Sequence, residues 1–404
     1  METVVIIGGG ASGMMAALTA AESGRHIVLL ERQQRVARKL LATGNGRCNL
    51  TNTGAGAANY HGENAEFALP ALSRFTPQDM LDFFHALGLV TVTEYGGRVY
   101  PLSNSANSVV DVLRFALERA GVELRCGVSA RSLSRASDGA GYVVGTDDGD
   151  ILADYVIVAC GGAAGAKLGG VMDGYELLKP LGHKRTRLCP ALVQLTTAPE
   201  YPRALKGVRA DAALSLLAGG EVIARSRGEV QFTETGLSGP AAFDVSRAVS
   251  TGGDGFTASL DFMRDHPAAE VMDMLARRCR DLPALRCGDI FTGMLHNRLG
   301  RMLARYARLD AAAPLSALSP AQLKAVADAV KGFSLRVTGT EGFDSAQVTA
   351  GGIRTSGFDP ETLQSWFMPR LFVCGELLDI DGDCGGYNLQ WAWASGRLAG
   401  RLGE

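Results

Sequence analysis

The chain opens on TVVII (Thr3 to Ile7), a β-branched run that breaks into GGGASG and continues as MMAALTAAESG, a helix-compatible stretch ended by Gly24. HIVLLE at 26–31 predicts the next strand, so the first 31 residues read as a βαβ unit. From Arg32 to Gly62 the pattern gives way to Gly, Asn and Thr, which predicts a long loop of the functional kind. Helical patterns follow near 77–88 and 106–120, then strands at 122–128 and 142–146. YVIVACGG (155–162) reads as a buried strand running into a glycine turn.

After Pro190 the pattern changes. RADAALSLL and EVIARSRGEVQFT alternate as antiparallel strands do, down to FTASLDFM. AAEVMDMLARRCRDL, FTGMLHNRLGRMLARYARL and PAQLKAVADAVKGF read as helices, and FSLRVTGT returns to a strand. LFVCGELLD and GGYNLQWAWASGRLAGRL close the chain as strand, loop and helix. The expected organisation is a discontinuous α/β domain over 1–190 and 345–404. Between its parts lie an antiparallel β module over 191–266 and 332–344 and a helical module over 267–331.

Composition narrows the function classes. At 404 residues two or three domains are expected. A net charge of −2 leaves no global field to draw the chain to nucleic acid or anionic lipid. The eight cysteines include no CxxC pair, so neither a zinc site nor a disulfide framework is indicated, and reduced thiols in a cytoplasm fit best. The apolar N-terminus carries Glu2 and lacks a basic flank, and no other segment is long and apolar enough for a membrane span.

Glycine, at 51 residues, clusters where backbone must turn tightly or approach a ligand. Gly8, Gly10 and Gly13 form GxGxxG between a strand and a helix. The first glycine allows the turn, the second admits a pyrophosphate, and the third lets helix pack on strand. Peptide N–H groups at the helix N-terminus face the phosphates. Glu31 ends the second strand, where its carboxylate can accept from both ribose hydroxyls and would repel a 2′-phosphate. This motif predicts a dinucleotide without distinguishing NAD from FAD.

Further segments bear on that choice. YVIVACGG, with Gly161, resembles the ATG-type turn of flavoproteins that bind two dinucleotides. LFVCGELLDIDG resembles their last strand, with Gly375 and with Glu376 where Asp is commoner. RKLLATGNGRCNLTN, GRVYP with Ser103, FTETGLSGPAA, VTAGGI and GGYNLQWAWASGRLAG together resemble the BaiN/YhiN-like family of FAD-binding oxidoreductases, some labelled aminoacetone oxidase family proteins. The resemblance covers essentially the whole chain. It implies a split Rossmann-type FAD domain of the glutathione reductase type, with an inserted β-barrel-like module and a helical module. It places Gly8, Gly10, Ser12 and Gly13 at the pyrophosphate, Glu31 at the adenosine ribose, and Val128 at the adenine. Arg38, Lys39, Gly44 and Asn45 would wrap the cofactor's middle. Glu376, Asn388 and Leu389 would lie along the ribityl and the ring, with Gly386 letting the backbone close. Glu234 departs from the His expected in many relatives.

The expected activity is FAD-dependent reduction of a small organic acceptor by NADH or NADPH. The rival of the same class is an oxidase that passes electrons from a small amine to oxygen. The N-terminus of the helix near Tyr387 to Leu389 is expected to stabilise a negatively charged reduced flavin. Cys48 and Cys384 invite a disulfide-reductase reading, but two unrelated thiols fit better. Arg47 could bind an acidic substrate group or hold its loop. Tyr100 and Tyr387, two conceivable proton donors, read as structural tyrosines, and Trp391 and Trp393 as core. His183, followed by Lys184 and Arg185, reads as a solvated turn. Arg277, Arg278, Arg280, Arg298, Arg301, Arg305 and Arg308 could touch nucleic acid, against the simpler reading of a solvated helical face. The expected partner is a small molecule.

Overall fold

The computed structural model describes every residue except Asp138. It divides into two compact units, Met1–Cys189 with Ala346–Glu404, and Pro190–Ser345. The first is built on a parallel sheet of β1 (Thr3–Ile7), β2 (His26–Glu31), β3 (Glu123–Cys126), β4 (Tyr155–Val158) and β5 (Leu371–Val373). Their order is β5-β4-β1-β2-β3, so β5, from near the end of the chain, lies beside β4. β1, β4 and β5 are almost wholly buried, which explains their unbroken Val, Ile, Leu and Phe. Three antiparallel strands, Ala130–Arg135, Tyr142–Thr146 and Gly149–Ala153, form a separate meander.

The first helix, Ala11–Ala21, is mostly small residues, and so is the face of the closing helix, Tyr387–Gly400, that meets it. A Cβ at Gly396 would lie 2.3 Å from the Ser12 carbonyl, and one at Gly400 2.6 Å from that of Ala16. The two backbones touch because both positions lack side chains.

In the second unit, Leu195–Thr197, Gly236–Ser238, Glu221–Phe232, Arg209–Ala218, Phe256–Asp261 and Phe333–Thr340 form a closed barrel. Helices Ala268–Asp281, Asn297–Tyr306 and Pro320–Lys331 share one hydrophobic core with it. The middle helix is shorter than its apolar pattern predicts, because Gly293 adopts a left-handed φ of 83° and breaks the FTGML segment into turns. Helix Pro240–Thr251 is an addition that strand alternation did not foretell.

Candidate cofactor site

Gly8 has φ +115°, and a Cβ there would sit 2.5 Å from the Ala159 carbonyl. One at Gly13 would sit 1.8 Å from the carbonyl of Gly8. These two glycines are therefore fixed by packing. At Gly10 a Cβ would meet nothing within 4 Å, so the loop has open space in front of the helix it caps. That helix has no side-chain cap and no acid in its first turn, leaving its first peptide N–H groups for an anion. Glu31 accepts from Gly9 N–H at 2.9 Å and from Gln33 N–H at 2.8 Å. Burial raises its carboxyl pKa above the usual range, opposed by those two donors.

The residues predicted at the cofactor's middle fall into two groups. Lys39 Nζ meets Glu376 Oε2 at 2.5 Å, across 337 positions of sequence. The other Glu376 oxygen accepts from Thr349 N–H at 2.7 Å, and Thr349 Oγ1 accepts from Ala164 N–H at 2.9 Å. A Cβ at Gly162 would lie 2.4 Å from that hydroxyl and 2.8 Å from the carboxylate. Gly162 and Thr349 thus tie the turn after β4 to Glu376; the VTAGGI segment contained the signal, but nothing local singled out its threonine. Tyr175 has a buried Oη without a partner, electrostatically close to Glu376. Arg38 lies apart, donating to Gln33 Oε1 at 2.7 Å and to the Lys167 carbonyl at 3.2 Å. Val128 gives its N–H to the Glu31 carbonyl at 3.1 Å, so its carbonyl is the backbone group left to face a nucleotide. Gly44 and Asn45 both turn left-handed, and Gly161, also left-handed, faces open space.

The closing segment is knitted to the early loop. Tyr60–His61 pairs with Asp381–Gly382. His61 Nε2 lies 2.7 Å from Asp383 Oδ1, and Asn59 donates to Oδ2 at 3.1 Å. Asn388 accepts from Gly382 N–H at 2.8 Å and donates to the carbonyls of Gly382 and Asp383 at 2.7 and 3.2 Å. Asn52 donates to the Gly385 carbonyl at 3.1 Å. Gly386 caps the closing helix at φ +104°, where a Cβ would strike the Thr51 carbonyl. Beside it, Asn49 Oδ1 is buried without a partner. Leu389, in the first turn of this helix, is half-buried against the core. The indole N–H groups of Trp391 and Trp393 donate to Gly375 and Leu50, each at 3.0 Å, so both rings are structural. Gly375 in turn packs on Ser12 and accepts no Cβ, since one would lie 2.5 Å from Ser12 Oγ.

A dinucleotide fits these residues: there is open space at Gly10, an uncapped helix start, a carboxylate at the end of β2, and orphaned polar atoms at Asn49 and Tyr175. The HI0933-like protein Rossmann domain model matches residues 2–402. The chain belongs to this family. It is 41% identical over 406 residues to the 3-dehydro-bile acid delta(4,6)-reductase of Clostridium scindens, covering 99% of this chain and 98% of that protein. It is 28% identical to the ribosomal RNA dihydrouridine synthase of Escherichia coli, covering 97% and 95%, and 26% identical to that of Haemophilus influenzae, covering 97% and 96%. This HI0933-like chain is an FAD-dependent oxidoreductase with a Rossmann-type fold.

In this HI0933-like protein one sequence reading is overturned and several open ones are decided. His183 is buried, not solvated: it stacks on Phe358 with centroids 4.5 Å apart and meets Ser365 Oγ at 3.0 Å. Burial lowers its pKa to about 4, which keeps the ring neutral. Arg47 holds its loop, pairing with Glu94 at 2.5 Å, bonding Asn104 and lying 3.9 Å over the Tyr100 ring. Cys48 is fully buried and its thiol is pushed up to about 12, so it is no nucleophile. Glu234 pairs with Lys206 at 2.8 Å, which holds its carboxyl low. Of the basic run, Arg278 donates to Thr292 and Arg298 to Ala204 and Lys206, while Arg301 pairs with Asp289. Arg277, Arg280, Arg305 and Arg308 are exposed.

Proposed function

We propose that this chain takes reducing equivalents from NADH or NADPH and saturates a carbon–carbon double bond conjugated to a carbonyl group in a small organic acceptor. The observation that carries the reading is the 41% identity, over nearly the full length of both chains, to a protein named for reducing a 3-dehydro-bile acid at its 4 and 6 positions. Bound FAD would supply hydride transfer at N5. The first helix and Gly10 would hold the pyrophosphate, Glu31 the adenosine ribose, and the Lys39–Glu376 pair the ribityl chain. The closing helix, uncapped by any side chain and positioned by Asn388, offers peptide N–H groups to negative charge on the cofactor. The free cysteines support a cytoplasmic setting, and among the described residues no helix is long and apolar enough to cross a membrane.

Anaerobic mixing tests the donor and the acceptor in turn. NADH or NADPH should bleach the flavin, and a 3-oxo steroid with 4,6 double bonds should then restore its colour. No bleaching by either nicotinamide, with peroxide formed from a small amine, would favour the oxidase. A second reading has its own observation: two relatives are named for ribosomal RNA, whose uridine also carries a double bond conjugated to a carbonyl, and Arg277, Arg280, Arg305 and Arg308 are exposed. Salt-sensitive retention on ribosomal RNA supports it, and no retention at low salt ends it.

A further inference from the structure

The hairpin Thr91–Thr93 and Arg98–Pro101 has a face that the cofactor site leaves unused. Val92 pairs with Tyr100 and Thr93 with Val99. Leu102 N–H donates to Val90, and Glu94 N–H to Arg98, each at 2.8 Å. Strand alternation therefore puts Val90, Val92, Tyr100, Leu102, Glu94 and Arg98 on one face, with Tyr100 buried beneath Arg47, while Val99 and Pro101 are buried on the other. Val90 and Leu102 are 60% and 62% exposed and Val92 38%, an apolar strip on the surface. At its far end stands Arg98, whose Nε would lie 3.5 Å from a Cβ on Gly385, in the loop that closes the cofactor site. Arg47, beside it, is already bound to Glu94 and Asn104. Among the described residues the Arg98 guanidinium has no hydrogen bond or ion pair, although it is half-buried. Glu94 attracts it through space without a contact, which leaves its donors unoccupied.

We propose that this face binds the acceptor, with Arg98 donating hydrogen bonds to the carbonyl oxygen of a flat apolar ketone whose body lies along Val92, Leu102 and Val90. Arg98 to Leu102 spans about 13 Å of strand, which suits a rigid polycyclic body. The chemical role rests on the reductase reading. A hydride originating from the nicotinamide adds to the carbon β to the carbonyl. The double-bond pair shifts toward the α carbon and the oxygen, and a proton from solvent joins the α carbon. Negative charge collects on the oxygen, where a guanidinium stabilises it. An apolar face ending in a cation with unoccupied donors favours this occupant over an uncharged hydrocarbon or a polar sugar.

The test uses the FAD-loaded protein and a saturated polycyclic 3-ketone, which can bind without being reduced at a double bond. Its titration should perturb the visible flavin band. Arg98→Gln and, independently, Leu102→Asp should each weaken that binding about tenfold. Arg98→Lys should recover part of it. Flavin content and the rate of bleaching by nicotinamide should stay within about twofold, as expected for residues that act on the acceptor alone. With an enone as substrate, Arg98→Gln should lower kcat about 100-fold. Unchanged ketone binding in both Arg98→Gln and Leu102→Asp, or no spectral change in the wild type, overturns the proposal. Ketone binding that is lost in both variants, in a protein that reduces no enone, would uphold the surface and sink the reductase reading instead.

Discussion

The first helix and the closing helix both start on a glycine without a side-chain cap, and they pack backbone to backbone at Gly396 and Gly400, yet they are held by opposite means. The loop before the first is fixed by what it lacks: Gly8 and Gly13 leave no room for a methyl group, and one carboxylate, Glu31, supports it. The loop before the second is fixed by what reaches it from elsewhere, from Asn52, Asn59 and His61 and from its own Asn388. One helix start is shaped by local sterics, the other by a polar network spanning more than 300 residues of sequence. The first can be read from a short string of residues; the second requires the fold.

The contrast predicts graded losses. Gly13→Ala, which forces a methyl against the Gly8 carbonyl, should abolish flavin retention and cost about 3 kcal/mol in chemical denaturation. If it keeps full flavin, local sterics do not set the first site. Asn388→Ala removes three hydrogen bonds from the closing loop and should weaken FAD binding about tenfold, with a stability loss of about 1 kcal/mol. A loss of stability with unchanged FAD affinity would mean that the network serves folding alone. The smallest effect is expected at Cys48, buried in the same region with its thiol raised to about 12: Cys48→Ser should leave turnover within about twofold, and a large loss would return the thiol to the chemistry.

These differences explain what the sequence disclosed. GxGxxG and Glu31 sit on adjacent elements, so their spacing alone carries the geometry. Trp391 and Trp393 were legible as core because the helix that bears them has little polar face. His183 was misread because the groups that bury it, Phe358 and Ser365, lie about 180 residues away while its neighbours Lys184 and Arg185 are charged. Arg298 looked free because its acceptors are backbone carbonyls at 204 and 206, which have no signature in sequence. Thr349 and Gly162 went unnoticed for the same reason: each matters through Glu376 and through the other, none of which adjoin along the chain.

The visible spectrum of the purified protein, recorded after incubation with FAD and removal of the excess, tests the central claim that one flavin joins the two ends of the chain. The absorption of an oxidised bound flavin at one per chain is expected, lost in Gly13→Ala and weakened in Asn388→Ala. A wild-type protein that stays colourless after loading would contradict it.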